Sequence, residues 1–173
     1  MANCLITAGH VIDCYDVTPG VRNIYIANYD KDMTFAYDAD NVIIGLTPSI
    51  SATTFYQYEV PMQVAGLDDV STTDQALSTT IFTPAVTFPV NGLNKITRNQ
   101  LLLLARARVS IIIEDENGNY LFCGKKRGMA SDTSKQTTGI ASGSRSGYEF
   151  SFKGYEPEPA NFIAYSAFSS LIG

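Results

Sequence analysis

Apolar and polar positions along this chain alternate mostly with the short period of a half-buried strand, and one window alone carries a helical pattern. From Val21 to Tyr29, Ile24 and Ile26 alternate with Tyr25 and Ala27, which gives one aliphatic face and one mixed face. A strand is also predicted ahead of it, over Cys4 to Tyr15, because Thr18-Pro19-Gly20 is a turn signal between the two. The acidic stretch Asp30 to Asp40 reads as a loop leading to a short strand in Asn41 to Leu46. Thr53 to Val64 is strand-like again, with Pro61 marking an edge or bulge because proline cannot donate a ladder hydrogen bond. The polar, turn-rich run 65–76 separates it from Ser78 to Val90, so these two runs are expected to pair as a long hairpin with an extended tip. Such a hairpin exposes unpaired backbone groups unless a neighbouring copy supplies partners.

The helical window is Asn94 to Ala107, with Asn94 placed to cap it, Ile96, Leu103 and Ala107 in one stripe, and Arg106 and Arg108 at its C-terminal end. Leu101 to Leu104 nearly encircle the axis, so contacts on more than one side are expected. Two apolar runs then flank Asn117-Gly118, and the spacing predicts a β-hairpin closed by a type I′ turn. Residues 125–146 hold almost no large apolar side chain and read as a flexible loop. The following run puts Tyr148, Phe150 and Phe152 on one face and Glu149, Ser151 and Lys153 on the other, the mark of a half-buried strand. The last segment, 160–173, is apolar, and either packs back on its own domain or docks on an adjacent subunit.

A length of 173 residues fits a single domain, 1–173. Recurrent Val, Ile, Thr, Tyr and Phe fix the expected class as mainly β, with one α-helix and a long protruding hairpin. Charge changes the picture more than composition does. Residues 1–91 carry ten acids against Arg22 and Lys31, a net −8, while 92–173 carry ten bases against seven acids, a net +3. The split is either solvated surface charge or an acidic face of one copy that meets a basic face of the next.

Candidate chemistry is sparse. His10 is the single histidine, so any Ser-His or Cys-His site must use it, and a strand or turn role is the simpler reading. Cys4, Cys14 and Cys123 lack the spacing of a disulfide framework or zinc set and are expected as buried thiols. Gly143 to Gly147 has Arg145 where a nucleophile elbow needs serine, and Gly124 to Gly128 lacks phosphate-loop spacing. Glu114-Asp115-Glu116 is read as solvated turn charge rather than a cation site. No catalytic residue, cofactor or metal is expected. The N-terminus lacks a basic leader and no run of 18 apolar residues occurs, so neither secretion nor membrane insertion is expected. Lys125, Lys126, Arg127, Lys135 and Arg145 make the loop basic, but without interleaved aromatics they do not read as a specific nucleic-acid site.

The order of long hairpin, a helix beginning NKIT, the hairpin RVSIIIEDENGNYLFCG, a Gly/Ser/Thr-rich loop and SGYEFSFKGYEPEPA resembles structural proteins of tailed phages of gut Bacteroidetes, the tail-tube class and related tail or neck ring subunits. The resemblance covers Phe55 to Ala160 and rests mainly on Ile112 to Gly128 and Ser146 to Pro159. It implies a β-sandwich or barrel with one flanking α-helix, in a virion protein, assembled in the bacterial cytoplasm, that forms a hexameric or dodecameric homo-oligomeric ring or tube with other tail or neck proteins, through which DNA passes transiently. The hairpin joining subunits would use Phe55, Tyr56, Tyr58, Val60, Met62 and Val64 on one arm and Ile81, Phe82, Val86 and Phe88 on the other. Asp68, Asp69 and Asp74 are the implied acidic loop contacts, and Lys125, Lys126 and Arg127 the basic ones. Pro61, Pro84 and Pro89 depart from a long uninterrupted ladder. The alternative is a host- or carbohydrate-binding β-domain of a phage particle, with tyrosines as stacking faces; a small hydrolase using His10 is a third.

Overall fold

The computed structural model describes residues 17–50, 53–61 and 63–173. The strands are β1 Val21–Asn28, β2 Thr34–Tyr37, β3 Ile43–Thr47, β4 Tyr56–Glu59, β5 Gly66–Asp74, β6 Thr79–Asn91, β7 Arg108–Asp115, β8 Tyr120–Cys123, β9 Met129–Thr137, β10 Gly147–Gly154 and β11 Asn161–Phe162. The helices are α1 Lys95–Leu104 and the single turn α2 Tyr165–Phe168, which runs into a 3-10 turn, Ser169–Leu171. The fold is mainly β, as the composition predicts, and sandwich- or barrel-like, with the predicted Cys4–Tyr15 strand outside the described residues.

Among the described residues, nine strands form one antiparallel sheet organised around β7. One edge of β7 pairs with β1, in the register Ile24↔Ile113, Tyr25↔Ile112, Ile26↔Ile111. The other edge pairs with β8 over Ile111 to Glu114 and then, beyond Ser110, with β9 at Arg108 and Val109. The sheet therefore forks at Ser110, whose buried hydroxyl donates to the Gly124 carbonyl at 3.3 Å. One branch is β8–β11; the other runs β9–β10–β6–β5. The turn between β8 and β9 must be tight for this exchange, and Gly124 and Gly128 both take positive φ there. A Cβ on Gly128 would meet Arg108 Cγ at 2.6 Å.

Because side chains alternate along a strand, the β1–β7 pair serves two cores. Ile24, Ile26, Val109, Ile111 and Ile113 face Val86, Phe88, Phe150 and Phe152 of β6 and β10, and Leu101 of α1 joins this first core. Phe88 and Phe152 stack there at 6.1 Å and 11°. On the opposite face, Tyr25, Ala27 and Ile112 meet Ile43 and Leu46 of the β2–β3 hairpin, Phe55, Phe122, and Ile163, Ala167 and Phe168 of the C-terminal segment. Phe168 is the hub of this second core, with Tyr25, Phe55, Tyr120 and Tyr165 rings 5.3 to 6.1 Å away. The apolar tail thus packs on its own chain, and it is fastened by Phe55 N–H to the Leu171 carbonyl and Gly173 N–H to the Phe55 carbonyl.

Among the described residues the buried polar side chains are paired. Asp30 accepts from the Asp32, Ser49 and Ile50 amides and the Ser49 hydroxyl, which pins the chain after β3 to the end of β1. The Ser49 hydroxyl is the main reason this carboxyl is held below its ordinary range. Glu114 accepts from Asn23 Nδ2 at 2.6 Å and lies 3.4 Å from the Tyr25 hydroxyl. Burial, and then this carboxylate, pushes Tyr25 up to about 12. Cys123 is a buried thiol, raised by burial, while Cys4, Cys14 and His10 lie outside the described residues.

Several expectations are corrected. The run 65–76 is not the tip of a hairpin: Gly66–Asp74 is strand β5, and it pairs with β6, whereas β4 pairs with β1. The pattern concealed β5 because nearly all of it is exposed on both faces and its backbone ladder, not burial, makes it a strand. The same reason hides β9 inside the expected 125–146 loop, since Met129 is its one buried side chain. β2 forms within the stretch expected as a loop. The helix stops at Leu104 rather than Ala107, and Leu102 and Leu103 are exposed while Leu101 is buried. Asn117-Gly118 closes a hairpin, but only Gly118 takes positive φ. Gly118 N–H bonds the Asp115 carbonyl and Asp115 N–H the Asn119 carbonyl, a three-residue loop with the glycine at the bulge instead of a type I′ turn. The Asp115 carboxylate, on the amides of Asn117 and Asn119, holds that geometry.

Truncating Ile112, which is fully buried in the second core against the β1–β7 ladder, is expected to cost about 2–5 kcal/mol. Urea unfolding of Ile112→Ala checks it; a loss under ~0.5 kcal/mol would contradict the two-faced role of the strand.

Candidate assembly surface

Among the described residues the longest element is β6, thirteen residues paired on one edge with β5 and on the other with β10, without a register shift on either side. Its prolines fit because of where their nitrogens point. Phe82 exchanges both backbone hydrogen bonds with Glu156, at 2.9 and 2.8 Å, so even-numbered residues of β6 turn their amides away from β5. Pro84 shares that direction and falls opposite Gly154, between the Lys153↔Ala85 pair and the Phe82–Glu156 bridge, so it interrupts the β6–β10 ladder there. Pro89 faces the β5 side, where β5 has already ended at Gly66↔Thr87. Pro89 therefore removes no ladder bond, while Pro84 leaves a one-residue gap that the Phe82–Glu156 bridge closes beyond it.

Beyond the Phe82–Glu156 bridge the β5–β6 hairpin runs on with exposed residues on both faces, 71–80. Its turn is 75–78, where the Asp74 carboxylate accepts the Ala76 and Leu77 amides and Ser78 takes a φ of 52°. Val70, Leu77 and Ile81 are exposed apolar side chains on it, Leu77 at 71%. By the parity set at Phe82, Thr72 and Val70 bond to β6, and Ser71 and Thr73 direct N–H and C=O outward along an edge with no strand beside it.

The residues expected to join subunits divide sharply. Phe55, Val60, Val86 and Phe88 are buried in this chain's own cores, and Tyr58 lies half-buried 6.0 Å from Phe88. These contacts are intramolecular, which corrects their assignment to an inter-subunit hairpin. Phe82 is half-buried and carries the bridge to Glu156. Tyr56, Val64 and Ile81 are exposed, Tyr56 on the edge strand β4 and Ile81 on the β5–β6 hairpin, and Met62 lies outside the described residues. Sequence reasoning missed Val70, Leu77, Ser71 and Thr73; the isolated apolar Val70 and Leu77 in a polar run were the available signal.

The charged loops also differ from expectation. Asp68, Asp69 and Asp74 are on strand β5, not a loop; Asp69 Oδ2 accepts the Ala160 amide at 2.8 Å. Lys125 donates to Glu158 and to Asn161 Oδ1, both at 2.7 Å, and its ammonium sits 5.3 Å from the Tyr37 ring centroid. The backbone amides of Lys126 and Arg127 both donate to the buried Glu156 carboxylate. Lys125 is therefore engaged within its own chain, while the Lys126 and Arg127 side chains remain exposed. Burial pulls Lys125 down, but Glu158 and Tyr37 together outweigh it and hold the ammonium above its ordinary range; in return Lys125 holds Glu158 below the ordinary value of 4.5.

Among the described residues no group of three or more His, Cys, Asp or Glu side chains is arranged to hold a metal ion, and no helix is long and apolar enough to cross a membrane. Comparison of the chain with protein-family models, curated proteins and solved structures finds no match.

The lowered Glu158 carboxyl contributes stability that is complete above 4.5 and lost as the pH falls through its folded value. Glu158→Gln is therefore expected to lower Tm at pH 7 by a small amount and to leave a shallower decline of Tm between pH 5 and about pH 3. Parallel acid limbs for the two proteins, followed by circular dichroism, would remove the pair from the stability account.

Proposed function

We propose that this chain is a structural subunit that performs no chemistry of its own and self-assembles, as part of a phage tail or head–tail channel, into a ring or tube through which the genome passes. One observation carries the reading: a β5–β6 hairpin projects from the sheet with an unpaired edge and exposed apolar side chains. An isolated edge of this kind is a template for another strand, and monomeric proteins blunt it with charged side chains, lysine above all, with proline or with a bulge. Here β5 has no lysine, proline or register shift, and its charges, Asp68, Asp69 and Asp74, leave Val70 to Thr73 uncharged between them. The resemblance of Phe55 to Ala160 to tail-tube and ring subunits supports the same reading, and it assigns the assembled protein to the virion.

Rings or tubes are expected when the purified protein is viewed by negative-stain electron microscopy, and a monomer at all accessible concentrations would overturn the proposal. The edge itself is tested by the parity of its amides. Ser71→Pro removes an outward donor and is expected to weaken assembly at least tenfold while Tm stays within a few degrees. Thr72→Pro removes a donor to β6 and should unravel the hairpin instead.

A further inference from the structure

We propose that the hairpin tip of one copy docks on the groove beside α1 of the next copy, with Leu77 entering the groove and Asp74 facing Arg98. The inference rests on the reading of the chain as a self-assembling subunit and names the surfaces that would meet.

The two surfaces complement each other in charge. No lysine or arginine occurs between Lys31 and Lys95, so the tip is purely acidic; no aspartate or glutamate occurs between Asp74 and Glu114, so α1 is purely basic. Lys95, Arg98 and Arg106 are exposed at α1, and Arg98 makes no ion pair among the described residues. Lys135 borders the same groove, with Glu149 opposite it in register on β10.

They also complement each other in surface. The groove between α1 and the β9–β10 face has a volume of about 240 Å³ and is lined by Arg98, Leu101, Leu102, Lys135, Tyr148 and Phe150. It is apolar at its floor and basic at its rim, with Leu102 half exposed at its margin. The tip offers the converse, an exposed leucine three residues from a carboxylate that also shapes the turn.

Placement selects a second copy as the occupant. The tip stands at the start of β6 and α1 follows its end, separated by a thirteen-residue strand that spans about 40 Å. No tip can reach the groove of its own chain. A contact between opposite ends of identical molecules is heterologous, and repetition of it closes a ring or extends a stack. Opposite charge at the two ends steers copies head to tail and disfavours like ends meeting.

Sedimentation velocity over a concentration series, on the intact chain at low and high salt, tests this. Asp74→Asn keeps an acceptor for the turn amides but loses the charge, and Arg98→Glu reverses the partner; each is expected to weaken association at least fivefold, with Tm unchanged. Combining Asp74→Arg with Arg98→Glu is expected to recover association relative to Arg98→Glu alone. High salt should weaken the wild type and not the Asp74→Asn variant. Wild-type assembly that ignores all of these substitutions would overturn the interface and leave the assembly reading standing. A wild type that never associates would overturn both.

Discussion

The antiparallel ladder between β1 and β7 is the interaction on which the rest of this structure depends. Its residues alternate between two cores, so Ile24, Ile26, Ile111 and Ile113 are committed to one and Tyr25, Ala27 and Ile112 to the other. A slip of one residue would exchange the two sets and set Tyr25 and its Glu114 partner against Phe88 and Phe152. The register is therefore specified from both sides at once. Everything else attaches to this pair: β4 extends it, the β2–β3 hairpin and the tail cover one face, and β6 and β10 close over the other.

The fork at Ser110 turns this plain ladder into a scaffold for a projection. By passing one edge of β7 from β8 to β9, the chain directs β9, β10, β6 and β5 away from the β8–β11 branch and back over the first core. Half of β6 is then anchored by Val86 and Phe88 and stiffened on both edges, and the other half continues outward as the hairpin. A rigid base and an exposed end are thus parts of one strand. The aromatic column of Phe88, Phe150 and Phe152 ties that base to the core.

Charge follows the same axis. The acids of the tip and the bases of α1 are far apart in space because β6 separates them, and among the described residues neither group is neutralised in the way that Lys125 is by Glu158. A molecule polar in this sense gains little by folding on itself and has complementary ends to offer a neighbour. The proposed assembly follows from that separation more than from any single contact.

The sequence by itself determined what burial writes into it. Strands with one or two apolar faces, β1, β7, β8 and β10, were legible from alternation or from unbroken Ile runs, as were the helix, the hairpin at Asn117-Gly118 and the mainly β class. The acidic-to-basic split was legible too. Tertiary structure alone decided the pairings. β5 and β9 bury almost nothing, so no hydrophobic period marks them, and they are strands because β6 and β10 present an open ladder beside them. The partner of β6 followed from that: Phe55 and Val60 have buried places in the chain's own cores, which leaves the polar 66–74 segment to form the hairpin. Side-chain burial is a local property that composition and spacing record, whereas backbone pairing is a long-range one that any exposed sequence can satisfy.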